Sequence, residues 1–280
     1  MTASRTTESS LLTLDDGDTI HVCQDGPREA PVLLLIHGSA SSARSWDALV
    51  PLLTGAGSGA GAGAHRVVRV DLLGHGGSDK PGEGRYAVPD QARRVGEVLD
   101  RLGAGRAVVV GHSSGGVTAT ALAEERPGLV SALVLVNTGP NLGAFIATGS
   151  GAAGPAQWPP SDEQIRQLAS TGFSRPGYRV PDALLDEVRA MTPHSFAATM
   201  QATRAYMEER ALPERLAVLG KPLLVLFGED DRRWRSSSAA DYRAVPGARV
   251  ELLPGLGHSP ILEDPPRVAG PLLDFAAPLR

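Results

Sequence analysis

The fold of this chain is decided by the stretch Ala107-Val108-Val109-Val110-Gly111-His112-Ser113-Ser114-Gly115-Gly116. Its four apolar residues, three of them β-branched, predict a short buried strand, and the Ala- and Leu-rich run 117–125 predicts a helix. Between the two, Gly111-x-Ser113-x-Gly115 predicts a sharp strand-to-helix turn that exposes the Ser113 hydroxyl. Glycines fit there because a Cβ would clash with the neighbouring backbone.

The significance of the Gly-x-Ser-x-Gly match depends on the strand and helix predicted on either side of it. With 33 Gly and 21 Ser in 280 residues, about 0.3 matches arise by chance in such a chain. Two other glycine-rich turns are excluded because each lacks a required residue. A dinucleotide-binding loop needs a glycine where Ser113 stands, and a phosphate-binding loop needs a lysine where Val117 stands.

Composition limits the class of protein and its partners. The chain is 42% hydrophobic and 21% charged with a net charge of −4, which is typical of a globular protein and does not favour nucleic acid or an anionic membrane. The single Cys23 excludes an internal disulfide. Residues 1–10 are polar, and no apolar run is long enough to span a membrane, so we expect a cytoplasmic protein. The expected partner is a small-molecule substrate, bound by a monomer or a dimer.

Strand and helix patterns alternate along most of the chain. Residues 11–14 and 19–24 predict an antiparallel hairpin around a turn at 15–18. Further apolar strands are predicted at 31–37, 66–70, 107–110, 132–136, 222–227 and 249–253. Helices are predicted at 45–53, 89–102, 117–125, 239–244 and 266–275. The alternation predicts an α/β fold, with a mostly parallel sheet between two layers of helices.

The alternation stops between Gly139 and Leu219, where no strand is evident. A capping box, Ser161-Asp162-Glu163-Gln164, predicts a helix start, and further helices are predicted at 182–191 and 195–210. The pattern indicates a helical insertion after the sixth strand, with residues 1–139 and 213–280 as the core and 140–212 as a cap. The Gly- and Ala-rich segment 54–64 is expected to be a mobile loop without a catalytic role.

A serine nucleophile needs a base to take its proton and an acid to orient that base. In a parallel sheet, functional groups collect at the carboxyl ends of the strands. Asp231 follows the strand 222–227, and His258 follows the strand 249–253. Asp230, one residue earlier, is the alternative acid.

The chain resembles the α/β-hydrolase superfamily over nearly its whole length. Five motifs in the family's order carry the resemblance: Leu34-Leu35-Ile36-His37-Gly38-Ser39, Asp71-x-x-Gly74-x-Gly76-x-Ser78, Gly111-His112-Ser113-Ser114-Gly115-Gly116, Gly228-x-x-Asp231, and Gly257-His258-Ser259-Pro260 with Glu263-Asp264-Pro265. The resemblance implies Ser113 as nucleophile, Asp231 as acid and His258 as base. It also implies an oxyanion hole made by the backbone N–H groups of Ser39 and Ser114, and it implies no cofactor and no metal.

Five residues are candidate substrate contacts: His37, Gly38, His112, Trp158 and Phe196. The alternative for His112 is a packed structural histidine, and for the two aromatic residues it is packing between helices.

The expected activity is that of a serine hydrolase acting on a carboxylic ester with a small to medium acyl group. Relatives cleave C–C bonds of vinylogous diketones, amides, lactones or thioesters, or act as perhydrolases or cofactor-free haloperoxidases, and the fold does not separate these activities. Epoxide hydrolases and haloalkane dehalogenases carry Asp at the nucleophile position, so Ser113 argues against both. A ligand-binding receptor or a non-hydrolytic biosynthetic enzyme on the same scaffold remains the alternative from another class.

Overall fold

The computed structural model describes residues 7–55, 65–83, 85–146, 157–174 and 178–279. Its strands are β1 (Glu8–Thr13), β2 (Thr19–Asp25), β3 (Val32–Ile36), β4 (Arg66–Val70), β5 (Ala107–His112), β6 (Val130–Val136), β7 (Leu223–Gly228) and β8 (Arg249–Leu253). Its α-helices are α1 (Val50–Leu53), α2 (Val88–Arg101), α3 (Ser114–Glu125), α4 (Asp162–Ser170), α5 (Asp182–Ala190), α6 (Pro193–Glu209), α7 (Leu212–Ala217), α8 (Pro260–Glu263) and α9 (Pro265–Ala276).

All eight strands form one sheet in the order β1-β2-β4-β3-β5-β6-β7-β8. The hairpin β1–β2 is antiparallel, and β2 also pairs antiparallel with β4. Every other neighbouring pair is parallel. The predicted mostly parallel sheet is therefore confirmed, and β5 lies in its interior between β3 and β6.

Successive residues of the central strands enter two separate hydrophobic cores, one on each face of the sheet. Leu34 and Ile36 of β3 pack on the face covered by α2, α3 and α7, whereas Leu33 and Leu35 pack on the face covered by α1 and α9. Because side chains alternate between faces, a strand covered on both sides has to be apolar throughout. This explains why these strands appear in the sequence as unbroken apolar runs.

The structure differs from the sequence prediction at two helices. The segment 45–53 is not one helix: a 3₁₀ turn, Ala43–Trp46, is followed by the short helix α1. Pro51 lies in the first turn of α1, where its missing N–H costs nothing, and it could not continue a preceding helix. Helix α3 begins at Ser114 rather than 117, so Gly115 and Gly116 are helical.

Between β6 and β7 the chain forms α4, α5, α6 and α7, and the described part of 140–219 contains no strand. The predicted capping box is present: the Ser161 hydroxyl accepts from the Gln164 N–H, and the Gln164 side chain accepts from the Ser161 N–H. Most of the Gly- and Ala-rich segment, 56–64, lies outside the described residues. Of the helices in the described ranges, none combines the length and apolar character needed to cross a bilayer.

Candidate active site

Ser113 occupies the turn between β5 and α3 with φ +53° and ψ −122°, a conformation that non-glycine residues rarely adopt. The turn is possible because the adjacent backbones nearly touch. A Cβ on Gly111 would lie 2.4 Å from the Gly116 nitrogen, and one on Gly115 would lie 2.3 Å from the Ile36 carbonyl oxygen. The glycines of the motif are thus required by the close approach of β3, β5 and α3.

The structure brings three of the predicted site residues into one line of hydrogen bonds. His258 Nε2 lies 2.9 Å from Ser113 Oγ, and His258 Nδ1 lies 2.9 Å from Asp231 Oδ2. Asp231 lies in the loop after β7 and His258 in the loop after β8. The histidine is fully buried and the aspartate is 7% exposed. Both loops reach Ser113 because they leave the sheet at its carboxyl edge.

Burial and the contact between His258 and Asp231 determine the protonation states of these two side chains. Burial lowers the pKa of His258 below its ordinary 6.5, although Asp231 acts in the opposite direction. Burial raises the pKa of Asp231, but the interactions with His258 and Asn137 and the backbone N–H of Arg233 outweigh it, so the net pKa lies below 3.8. An ionised carboxylate can only accept, so His258 Nδ1 carries the proton. The lone pair on Nε2 is then free to accept from the Ser113 hydroxyl.

Asn137 is a site residue that the sequence analysis does not assign. It directly follows β6, is fully buried, and has a left-handed φ of +48°. Its amide donates to Asp231 Oδ2 (2.8 Å) and to the Gly257 carbonyl (3.1 Å), and its oxygen accepts from the Gly228 N–H (3.2 Å). It therefore links Asp231 to the backbone beside His258. One feature of the sequence could have identified Asn137: it is a polar residue directly after an apolar strand, at the carboxyl edge of the sheet where functional groups collect.

The second carboxylate oxygen of Asp231 accepts from two backbone groups, the N–H of Arg233 (2.7 Å) and the N–H of Trp234 (3.1 Å). With His258 and Asn137 on the other oxygen, four donors surround this carboxylate. Asp230 is exposed, and among the described residues its side chain makes no hydrogen bond. The geometry therefore places Asp231, and not Asp230, against His258.

The two predicted oxyanion-hole residues lie side by side next to Ser113. Ser39 Oγ donates to Ser114 Oγ over 2.8 Å, and a Cβ on Gly38 would lie 3.1 Å from the Ser113 Cβ. The Ser114 N–H is at the start of α3, where helical N–H groups have no partner within the helix. Within the described ranges, neither the Ser39 nor the Ser114 backbone N–H has a hydrogen-bond acceptor. Both are available to an oxyanion.

His37 and His112 are both buried behind the turn. His37 Nε2 accepts from the Leu72 N–H (3.0 Å), so its Nδ1 donates to the Gly38 carbonyl (2.7 Å). His112 Nε2 donates to the His258 carbonyl (2.8 Å), and burial lowers the pKa of His112 to about 3. Both histidines are thus neutral groups that hold backbone next to Ser113.

Trp158 and Phe196 lie together in the insertion, with ring centroids 5.5 Å apart. The Trp158 indole donates to the Met191 carbonyl, and the ring packs against a small cluster of Ile165, Leu185 and Val188. A cavity borders Gly38, Ser39 and Ser114 and extends between α3 and α6. Neither aromatic residue lines it, whereas Gly38 does.

The insertion also contacts the loops that hold Asp231 and His258. The Arg233 side chain donates to the Leu168 carbonyl in the last turn of α4 and to Thr171 Oγ1, directly after that helix. The Ser174 N–H donates to the carboxylate of Glu263, which also accepts from the Gly257 N–H. The insertion is therefore tied to both loops at the carboxyl edge of the sheet.

Comparison with known proteins identifies the family to which the chain belongs. Residues 33–270 match the family described as "Alpha/beta hydrolase family". The chain is 30% identical to 2-hydroxymuconate semialdehyde hydrolase of Pseudomonas putida, over 87% of this chain and 86% of that protein. Its structure matches a hydrolase from Pseudomonas aeruginosa PA01 at 29% identity with a TM-score of 0.76, covering 96% of this chain and 98% of the other.

It also matches an esterase from Rhodococcus sp. ECU1013 at 28% identity with a TM-score of 0.72, covering 98% and 99% of the two chains. The family match spans most of the sequence and includes the turn at Ser113 and the loops of Asp231 and His258. The chain therefore belongs to the alpha/beta hydrolase family.

Proposed function

We propose that this protein is a serine hydrolase that cleaves a carboxylic ester through an acyl-enzyme. The observation that carries the proposal is the line from Ser113 Oγ through His258 to Asp231, with both hydrogen bonds at 2.9 Å. A serine hydroxyl becomes a competent nucleophile when an oriented, neutral imidazole accepts its proton. The protonation states derived above meet this requirement.

In the proposed reaction, His258 Nε2 takes the Ser113 proton while Ser113 Oγ attacks the ester carbonyl carbon. The resulting oxyanion accepts hydrogen bonds from the Ser39 and Ser114 backbone N–H groups, each of which would lower the barrier by about 3–4 kcal/mol. His258 then gives its proton to the leaving alcohol, and an acyl-enzyme remains. Water, deprotonated by His258, attacks this ester and releases the acid. Asp231 keeps the proton on Nδ1 and stabilises the imidazolium.

We also propose that residues 140–212 form a cap over this site. The hydrogen bonds of this segment to Arg233 and Glu263, near the loops after β7 and β8, support this proposal. So does the approach of α6 to the loop after β4, where a Cβ on Gly74 would lie 3.1 Å from the Ser195 Cβ. A cap at this edge would exclude water and shape the substrate pocket. Helix α7 begins at Leu212, so the core resumes within its first turn.

The residue types at the site favour an ester or a related acyl bond over the other chemistries of the family. An enzyme that forms an alkyl-enzyme needs a carboxylate nucleophile, and Ser113 has none. Amide, thioester, lactone and C–C bond cleavage use the same three groups, so these remain alternatives for the bond. A receptor that only binds its ligand would not need the hydrogen bonds that align Ser113, His258 and Asp231.

Labelling with a fluorophosphonate tests the nucleophile. The wild-type protein should be labelled at Ser113, and Ser113→Ala should not be labelled. Ser131→Ala is the matched control, since it removes the hydroxyl of a serine near the start of β6 and should still be labelled. Equal labelling of wild type and Ser113→Ala, both folded by circular dichroism, would refute the proposal.

The bond and the acyl size are tested with p-nitrophenyl esters from acetate to octanoate, alongside matched amides and thioesters. We expect the largest kcat/KM for esters of acids with about four to six carbons, in keeping with the small to medium acyl group expected from the sequence. Labelling with turnover of an amide or thioester but of no ester would refute the ester bond. Labelling without turnover of any ester, amide or thioester would refute hydrolysis and favour the non-hydrolytic alternatives.

A further inference from the structure

A cavity borders Ser39 and Ser114, the two proposed oxyanion donors. The leaving group has to stay near His258 Nε2, because that nitrogen protonates it. The cavity is bounded by the two oxyanion donors and by α3 and α6, and His258 is not part of its wall. A substrate whose carbonyl oxygen lies on the Ser39 and Ser114 N–H groups would therefore extend its acyl chain into this cavity.

The wall of this cavity holds a buried nitrogen that lacks a partner. His75, which lines the cavity, is 2% exposed. Its Nδ1 lies 3.4 Å from the Leu73 carbonyl oxygen, whereas its Nε2, among the described residues, has no hydrogen-bond partner. A buried polar group without a partner is costly, and such groups in native proteins commonly await a ligand or a water.

The tautomer of His75 follows from the hydrogen bond of its Nδ1 to the Leu73 carbonyl oxygen. A carbonyl oxygen can only accept, so Nδ1 carries the proton and Nε2 carries a lone pair. Burial and the neighbouring His37 keep the ring neutral, with its pKa lowered to about 3. His75 Nε2 therefore requires a donor, and a substrate methyl group or ether oxygen could not satisfy it.

Thr199 and Thr203 also line the cavity. Thr199 Oγ1 donates to the Ser195 carbonyl (2.7 Å), and Thr203 Oγ1 donates to the Thr199 carbonyl (3.0 Å). Because each hydroxyl donates its proton to its own helix, it has only acceptor capacity left for a ligand. No Lys, Arg, Asp or Glu is among the described residues that line the cavity. An ionised acyl group would be buried there without a counter-charge, which is strongly unfavourable.

We propose that the acyl chain of the substrate carries an uncharged hydrogen-bond donor, a hydroxyl or an amide N–H, which His75 Nε2 accepts. This inference rests on the proposed ester hydrolysis and names the substrate class for it: hydroxyacyl or amidoacyl esters. His75 is a specificity-determining residue in this scheme, while Ser113, His258 and Asp231 carry the chemistry.

The test compares two isosteric esters, p-nitrophenyl 3-hydroxybutanoate and p-nitrophenyl 3-methylbutanoate, which differ by a hydroxyl in place of a methyl group. Each enantiomer of the first is measured, and each kcat/KM is divided by the hydroxide-catalysed rate of the same ester to remove intrinsic reactivity. We expect the wild type to favour one hydroxy enantiomer by about tenfold, the range of one hydrogen bond to a buried group. Mono-p-nitrophenyl glutarate, which carries a carboxylate, should be the poorest of the three.

Variants of His75 assign the preference to its nitrogen. His75→Phe keeps a planar ring without an acceptor and should reduce the preference to about twofold or less, whereas His75→Gln restores an acceptor and should recover part of it. His194→Phe is the matched control: it makes the same change at an exposed histidine that does not line the cavity. The His194 ring packs on Tyr86 of the cavity wall, a contact that a Phe ring can keep, so the variant should keep the tenfold preference.

The outcomes separate this inference from the proposed function. A wild type that is labelled by fluorophosphonate and hydrolyses both esters without preference overturns the inference alone, as does a His75→Phe variant that keeps the full preference. Absence of labelling and of all ester turnover overturns the proposed function and this inference with it.

Discussion

Replacement of Asp231 by Asn should abolish nearly all activity because of the four donors around its carboxylate. Oδ2 accepts from His258 Nδ1 and Asn137, and Oδ1 accepts from the backbone N–H groups of Arg233 and Trp234. An asparagine has one acceptor oxygen and one NH₂ group, so its NH₂ has to face one of these two pairs of donors. The two backbone N–H groups cannot turn away, and the NH₂ will therefore face His258.

Facing an NH₂ group, His258 has to accept at Nδ1 and carry its proton on Nε2. The nitrogen next to Ser113 Oγ then presents a proton instead of a lone pair and cannot act as a base. A reversed tautomer of this kind costs about 10⁴-fold in kcat, which corresponds to about 5.5 kcal/mol of barrier. We expect a loss of this size for Asp231→Asn.

The assay is kcat/KM on p-nitrophenyl butanoate at pH 7.5, with the midpoint of thermal unfolding as a check on folding. The matched control is Asp230→Asn, which neutralises an exposed carboxylate one residue earlier and should change kcat/KM less than about twofold. A folded Asp231→Asn protein within tenfold of wild type would refute the reasoning. So would an Asp230→Asn variant that loses as much activity.

Three other measurements test the site and its supports. Because burial holds the pKa of His258 below 6.5, kcat/KM should rise with pH through an apparent pKa below 6.5 and stay level from pH 7 to 9; an inflection above pH 7 would contradict this. The hydrogen bond to Asp71 raises the pKa of His21 from 6.5 to about 10, so its stabilisation is complete below pH 6.5 and is lost as the pH rises through 10. In urea unfolding, His21→Phe should therefore cost about 1.5–3 kcal/mol at pH 6 and less at pH 10.5; an equal cost at both pH values would count against the pairing. A Cβ on Gly116 would lie 2.1 Å from a threonine hydroxyl, and nothing lies within 4 Å of one on Gly128. Gly116→Ala should thus lose about 1–3 kcal/mol of stability and Gly128→Ala less than about 0.5 kcal/mol, and equal thermal midpoints would show that the turn tolerates the extra atom.

The parts of the fold that follow from local physics are predictable from the sequence. Buried parallel strands have to be apolar on both sides, which makes β3, β5, β6 and β7 visible as unbroken runs. The capping box at Ser161 satisfies the first N–H groups of α4 through neighbours in sequence, so it is visible without a structure. The errors occurred where two elements meet, as at Pro51 and at the start of α3.

Among the site residues, Ser113, Asp231 and His258 are each recognisable by position after a strand. Asn137 is not recognisable in this way, since its role arises from contacts with partners 91, 94 and 120 residues away along the chain. A pattern within a few neighbouring residues cannot predict contacts between residues so far apart in the sequence. Only the sheet order, which places β6 beside β7, makes these contacts possible.

The sheet, the turn at Ser113 and the strand ends that carry Asp231 and His258 are predictable from the sequence, because each depends on residues close together in the chain. Only the assembled fold shows which carboxylate meets His258 and which tautomer that histidine holds. It also shows that His75 Nε2 has no hydrogen-bond partner in the part of the chain that the structure describes. These properties are set by the direction of hydrogen bonds between distant segments. The chemistry of the turn is therefore encoded locally, whereas its selectivity is a property of the assembled fold.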